Sequence, residues 1–539
     1  MKFRKASTLG ICLIMFVLSA YSQNVGRNVE TNMMKFGRML QLIENYYVDT
    51  ANVNKLTEEA IVEVLRRLDP HSVYISKEDL QKMNEPLEGS FDGIGISFDI
   101  IRDTLLVVST IPGGPSEKAG VMSGDKIIFI DNKNITGIGL KDTDVTGMLR
   151  GRKGTRVDLK ISRLKRSELI DFTIIRDKIP MFSLDAAYMM DKETGYIKLN
   201  RFSATTTDEF KKALGELNPK RNLKNLVLDL RRNGGGFLNT AIEIANEFLD
   251  KGDLIVFTKG VHERRNELRA SQNGGFLEGR LVILIDEGSA SASEIVAGAV
   301  QDWDRGIIVG RRSYGKGLVQ KPFSLADGSA VRLTTSYYYT PSGRSIQKPF
   351  DKGYDEYRRD YMNRFEHGEL FSKDSIVFDK NQQFKTLKNN RSIYGGGGVM
   401  PDIFVPMDTS VNYRLYNTII RQSILDPMVF DYMFANKEKV SSQYKDFDNF
   451  LASYKVDNSL IDNILDAARK AKITMTDKEI EFSTPIIRQH IKALIARDLY
   501  GQGYYYQVVN EDDKMIEKVK SILSESRAYE NILSGRTTN

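Results

Sequence analysis

Two turns rich in glycine and serine hold the residues of this chain that could do chemistry. Residues 281–286 form a short apolar run of the kind a buried strand needs, and residues 293–303 carry small and apolar side chains at helical spacing. Between the two lie Ser289, Ser291 and Ser293. A serine at such a strand-to-helix turn would sit beside the free N–H groups and positive dipole end of the helix, a setting suited to a nucleophile. Downstream, Tyr314-Gly315-Lys316-Gly317 presents one lysine just before another apolar run. A lysine buried among apolar neighbours loses hydration of its ammonium, so its pKa falls and the neutral amine can take a serine proton.

Other chemistries fit less well. No Gly-x-Ser-x-Gly elbow is present, and a Ser-His-Asp triad would need one of four histidines brought to the serine turn. His71, in Leu68-Asp69-Pro70-His71-Ser72, is weighed as such a base; its place in a turn that ends a helix, far along the chain, favours capping or packing instead. His262-Glu263 is followed by Arg264, Arg265 and Asn266, which breaks the zinc-protease pattern, so no metal is expected. Residues 310–317 match a phosphate-binding loop until the last position, where Gly317 replaces the required Ser or Thr and enters a strand-like segment. Asp229-Leu230-Arg231-Arg232-Asn233-Gly234-Gly235-Gly236 falls where a strand gives way to a helix; it is either a tight turn or a set of backbone donors for an anion. Ser291-Ala292-Ser293-Glu294 also reads as a capping box worth about 1 kcal/mol to its helix.

The elements that must position these groups fill 539 residues, too many for one ordinary domain, and the length favours three or four. With 41% hydrophobic and 27% charged residues and a formal net charge of +6, the composition is that of a globular protein with no basic stripe for nucleic acid. Residues 1–22 read as a secretory signal: Lys2, Arg4 and Lys5 precede an apolar run, and Ala20-Tyr21-Ser22 fits a cleavage site. The single cysteine, Cys12, lies inside that run after Ile11, where a lipoprotein signal wants a small residue. A mature chain without thiols suits a bacterial periplasm and a fold held by its own core. No later apolar run reaches the roughly 18 residues of a spanning helix.

Residues 28–85 carry helical stripes, including Met33, Phe36, Leu40 and Ile43. Short strands and glycine turns follow. Gly93-Ile94-Gly95-Ile96, the Pro-x-x-x-Ala-Gly turn ending at Gly120 and the strand opened by Gly124-Asp125 resemble a PDZ domain, in that family's order. The resemblance implies capture of a peptide C-terminus, its carboxylate on the loop of Gly93, Ile94, Gly95 and Ile96 and its side chains beside Val145, Met148 and Leu149. From residue 196 strands and helices alternate, as in an α/β layer structure with a partly parallel sheet. Residues 349–394 are charged and aperiodic, an expected irregular insertion, and helical spacing returns from about residue 412.

Gly288-Ser289-Ala290-Ser291-Ala292-Ser293-Glu294-Ile295, then Gln301-Asp302 and Arg305, then Tyr314-Gly315-Lys316-Gly317-x-x-Gln320 are similar to the carboxyl-terminal processing peptidases, the tail-specific serine-lysine proteases. The resemblance spans roughly residues 30–406. It implies Ser291 as nucleophile, Lys316 as general base, Gln320 as the residue that orients the lysine, and an oxyanion hole from the N–H groups of Ala292 and Gly235. The expected architecture is multidomain α+β: a signal peptide (1–22), an N-terminal helical region (23–88), a PDZ domain (89–177), an α/β peptidase core of the crotonase and Clp-protease ββα type (178–406, with the insertion 349–394) and a C-terminal helical region (407–539). The implied activity is that of an exported serine endopeptidase needing no cofactor. Its partners would be proteins with apolar C-terminal tails, and the helical tail is an assembly element for an adaptor or for further copies of the chain. The competing expectation is a non-catalytic peptide-binding scaffold on the same fold.

Overall fold

The computed structural model describes residues 28–163, 166–219, 222–377, 379–408 and 413–536; the signal-like residues 1–22 lie outside them. At its centre is a six-stranded sheet in the order Leu184–Met189, Thr194–Leu199, Asn225–Asp229, Arg280–Ile285, Ile307–Gly310, Ile403–Phe404. The first pair is antiparallel and the rest are parallel. Strands buried on both faces explain the unbroken apolar runs. Leu226 and Leu228 point into one cluster with helices Leu238–Asn246 and Ala292–Asp302, while Val227, Val282 and Leu284 point into another.

That second cluster is completed from the far end of the chain. Met515, Ile516, Val519, Ile522 and Leu523 of helix Lys514–Ser524, with Tyr529 of helix Ser526–Leu533, seal the sheet's other face. The tail is thus divided. Helices from Arg414–Arg421 to Gln502–Val509 gather around their own core, whereas the last two belong to the layers of the central sheet.

A second sheet, wholly antiparallel, contains Ala330–Tyr339 paired with Val73–Ile75, Leu254–Lys259 and Leu318–Ser324. The N-terminal region is therefore not continuous helix. Helix Val53–Leu68 ends at Asp69, ahead of Pro70, and strand Val73–Ile75 joins the sheet before helix Lys77–Glu88. The insertion also departs from expectation: it forms helix Tyr354–Glu366 and a small ladder of Gln383–Lys385 with Ser392–Tyr394.

The small domain is an antiparallel sheet with its own apolar core, and strand Ile96–Ile100 lies at the edge of it. Ile94, Val145 and Leu149 are buried in that core, while Ile96 and Met148 pack only partly against it. Gly95 has φ +75°, and its carbonyl accepts from Ile111 N–H while that of Ile94 accepts from Ser116 N–H, which fixes the loop. Among the described residues no helix is long and apolar enough to cross a membrane.

Candidate active site

Three parallel strands end side by side, and their C-terminal turns meet. Strand Asn225–Asp229 runs into the glycine turn. Strand Arg280–Ile285 runs into the serine turn. Buried Asn233 clamps the two together: its carbonyl accepts from Ala290 N–H at 3.0 Å and from Ser293 Oγ at 2.8 Å, and its side-chain nitrogen donates to Leu199 O at 2.9 Å.

The three serines differ sharply. Ser289 is buried, accepts from Asp286 N–H at 2.9 Å and donates to Leu230 O at 2.8 Å. Ser293 is buried and its hydroxyl is spent on Asn233 O. Ser291 alone is partly exposed and makes no side-chain capping bond. Its backbone sits at φ 56° and ψ −110°, a conformation that costs a non-glycine residue roughly 1–3 kcal/mol and persists only where its surroundings impose it. Only half of the expected capping box operates: the Glu294 carboxylate accepts from Ser291 N–H at 2.8 Å, and Glu294 N–H goes to the Ser291 carbonyl rather than the hydroxyl.

Glu294 is fully buried and does more than cap. Its carboxylate also accepts from Gly315 N–H at 2.7 Å, Lys316 N–H at 2.9 Å and Ser313 Oγ. One carboxylate therefore joins the serine turn to the lysine turn. Burial pushes its carboxyl above the usual range, and the four donors oppose that rise. Tyr338 bridges the same two turns from strand Ala330–Tyr339, with its hydroxyl 2.6 Å from Lys316 O and 3.1 Å from Ser291 O.

Lys316 has a pKa lowered to about 8, first by burial and then by the positive charge of Arg332, against the pull of Glu294 and Asp69. Among the described residues its ammonium makes no hydrogen bond, to Ser291 or to any other group. Gln320 lies on the strand beyond, and its side-chain nitrogen donates to Thr334 Oγ1 at 3.3 Å, not to the lysine. Thr334 Oγ1 in turn donates to Asp69 Oδ1 at 3.1 Å. His71, remote in sequence, lies within electrostatic reach of Lys316: burial and then that lysine depress its pKa to about 4, and its Nε2 is 2.8 Å from Tyr357 Oη.

Gly235, with φ +99°, is pressed against the nucleophile turn. A Cβ there would lie 2.8 Å from Ser291 Cβ and 3.0 Å from Ala292 N. Its N–H is held by Asn233 Oδ1 at 2.9 Å, whereas among the described residues Ala292 N–H at the start of its helix has no backbone acceptor. Among the described residues no cluster of three or more His, Cys, Asp or Glu side chains is arranged to hold a metal ion.

Residues 193–353 match peptidase family S41, residues 106–163 match the PDZ domain, and residues 415–501 match a family of unknown function. The carboxy-terminal-processing protease of Bartonella bacilliformis is 39% identical over 339 residues, which cover 61% of this chain and 77% of that protein. The chain belongs to peptidase family S41. A probable CtpA-like serine protease of Staphylococcus aureus strain MRSA252 is 33% identical over 375 residues, 68% of this chain and 73% of the relative. A solved photosystem II D1 C-terminal processing protease is 29% identical and covers 58% of this chain and 89% of its own, with a TM-score of 0.33.

This S41 peptidase is accordingly a protease that carries a PDZ domain. Several residues of its site escape sequence reasoning. Glu294 is visible there only as a cap, and Asn233 only as part of a glycine turn. Tyr338, Tyr357 and Arg364 give no local signal at all. Arg364, from the insertion, donates to Ser313 O at 2.8 Å and so grips the lysine turn from outside.

Proposed function

We propose that this chain is an exported serine endopeptidase that takes the C-terminal tails of proteins in its PDZ domain and cuts them through a Ser291–Lys316 acyl-enzyme. The observation that carries the reading is the contrast among the three serines. Ser289 and Ser293 are buried with committed hydroxyls, whereas Ser291 is strained, partly exposed and free to react.

In the proposed cycle the neutral Lys316 amine takes the proton of Ser291 Oγ as that oxygen attacks the scissile carbonyl carbon. The negative oxygen so formed faces Ala292 N–H, which is open to it. Gly235 serves as second donor once its N–H turns from Asn233 to the substrate. The Lys316 ammonium then hands its proton to the departing amine, and the C–N bond breaks. Water, deprotonated by the same amine, hydrolyses the ester. Gln320 acts through Thr334 and Asp69, which line the lysine's side of the site.

The tail would add to the edge of strand Ile96–Ile100, its carboxylate at the loop of Gly93 to Ile96 and its side chains beside Met148, which is left partly exposed while Val145 and Leu149 are buried. The module limits follow: a PDZ domain over residues 89–177 and a peptidase core over 178–406 that borrows the last two helices. Replacing Ser291 or Lys316 with Ala should each abolish cleavage of a tailed protein by at least ~10³-fold without unfolding the chain. Wild-type protein should be labelled at Ser291 by a fluorophosphonate. An unlabelled Ser291 together with undiminished binding of tails would favour the scaffold reading.

A further inference from the structure

Arg332 is a half-buried arginine with nothing to neutralise it. It lies on strand Ala330–Tyr339 opposite Val73 on one side and Pro322 on the other, one pleat from Thr334, whose hydroxyl meets Gln320 and Asp69. Its charge bears on both Lys316 and His71. Yet its guanidinium makes no hydrogen bond or ion pair among the described residues, and its Nε is shut away from solvent without an acceptor. Burial alone lowers its pKa, with no carboxylate offsetting that. A buried charge left without a partner is costly and calls for a reason.

The two carboxylates nearest the site are already full. Asp69 Oδ1 accepts from His71 N–H at 2.7 Å, Ser72 N–H at 2.9 Å and Thr334 Oγ1 at 3.1 Å, and its Oδ2 accepts from Ser72 Oγ. Glu294 serves four donors from the two turns. His71, with a pKa near 4, stays neutral at pH 7. Among the described residues neither Asp69 nor Glu294 is thus left to pair with the cationic groups on the lysine side of the cleft.

We propose that Arg332 receives a carboxylate of the bound polypeptide close to the scissile bond, so that the cleft itself reads charge in addition to the tail held by the PDZ domain. This rests on the protease reading for the position of the cut. The ligand chemistry is a peptide carboxylate, from an Asp or Glu side chain or from the α-carboxylate of a chain cut near its end. A planar guanidinium suits either, since it meets two oxygens at once.

The test uses full-length Ser291→Ala protein, which binds without turning over, and fluorescein-labelled peptides. One set carries Glu or Gln at each position in turn behind a constant C-terminal amide. The other is neutral and ends in a free carboxylate or an amide. One member of the Glu/Gln set, or the free-carboxylate peptide, should bind about tenfold more tightly than its uncharged twin. In the Glu/Gln set, where the constant amide removes the PDZ domain's carboxylate preference, that ratio should fall to near one in Ser291→Ala/Arg332→Gln and return in part with Arg332→Lys. In the free-carboxylate set the PDZ domain keeps its own preference, so there the ratio should fall in Arg332→Gln but only to the value that domain sets. The two sets tell the two sources apart. A ratio near one with Arg332 intact, or a ratio unchanged in Arg332→Gln, overturns the proposal. In protein with intact Ser291, the same preference should appear in KM rather than kcat; absence of turnover there would refute the protease reading and leave the binding result standing.

Discussion

The serine turn and the lysine turn lie side by side, yet they are held in different ways. The serine turn is fastened by its own strand and the next: Gly288 N–H and Arg232 N–H both donate to Asp286 Oδ1, and Ala290 N–H to Asn233 O. The lysine turn is fastened by segments that lie outside that parallel sheet. Gly317 N–H donates to Gln347 Oε1 at 2.8 Å, Lys348 N–H to Gly315 O at 2.9 Å, Val399 N–H to Ser313 Oγ at 2.6 Å, and Arg364 grips Ser313 O. The nucleophile is thus shaped by the backbone geometry of two neighbouring strand ends in one sheet. The base is shaped by its surroundings, which only the assembled fold supplies.

Glu294 is the carboxylate that accepts from both turns, so its removal is the strongest way to break the comparison. Glu294→Ala would orphan four donors, two of them fully buried and two of them backbone N–H groups of the lysine turn, at a cost of roughly 3–5 kcal/mol. Turnover should fall about 10²–10³-fold as both reacting groups lose their register. Urea unfolding and a peptide-cleavage assay read the two effects. Wild-type stability in this variant would mean that each turn stands by itself.

The pH profile sharpens the lysine half alone. Lys316 must be neutral to act, and its pKa is lowered to about 8, so kcat/KM should climb with unit slope as pH rises and level off above pH 8. At pH 6 the rate should lie about a hundredfold below its plateau. An unburied lysine would place that bend near ~10.4, and a profile bending there would show that the pocket around Lys316 does not exclude water as described.

Much of the serine half was legible from residues alone. The run of residues 281–286, the small residues after it and the glycine triplet each announce a strand end or a turn, and the structure has strands and turns there. What pattern could not decide was which serine is free, because burial and hydrogen bonding of Ser289 and Ser293 depend on Leu230 and Asn233 across the sheet. The lysine half was hidden more deeply. Residues 349–394 lack apolar periodicity because helix Tyr354–Glu366 works through polar contacts: Tyr357 to His71, Asp360 to Lys348 and Arg364 to a carbonyl. The last two helices read as one more stretch of tail, since nothing in their own spacing names the distant sheet they cover.

The smallest expected effect falls on the bridge between the halves. Tyr338 is buried, and its hydroxyl has one proton for two carbonyls, Lys316 O at 2.6 Å and Ser291 O at 3.1 Å. The nearer oxygen takes it for most of the time, so Tyr338→Phe should disturb the lysine turn before the serine turn. Loss of one such bond costs about 1 kcal/mol, equivalent to about fivefold in kcat/KM. If the hydroxyl serves the lysine, the bend of the pH profile should shift in Tyr338→Phe, while the backbone that strains Ser291 stays as it is. A loss of the same size with the bend unmoved would assign the hydroxyl to Ser291 instead, and the serine turn would then depend on a remote strand after all.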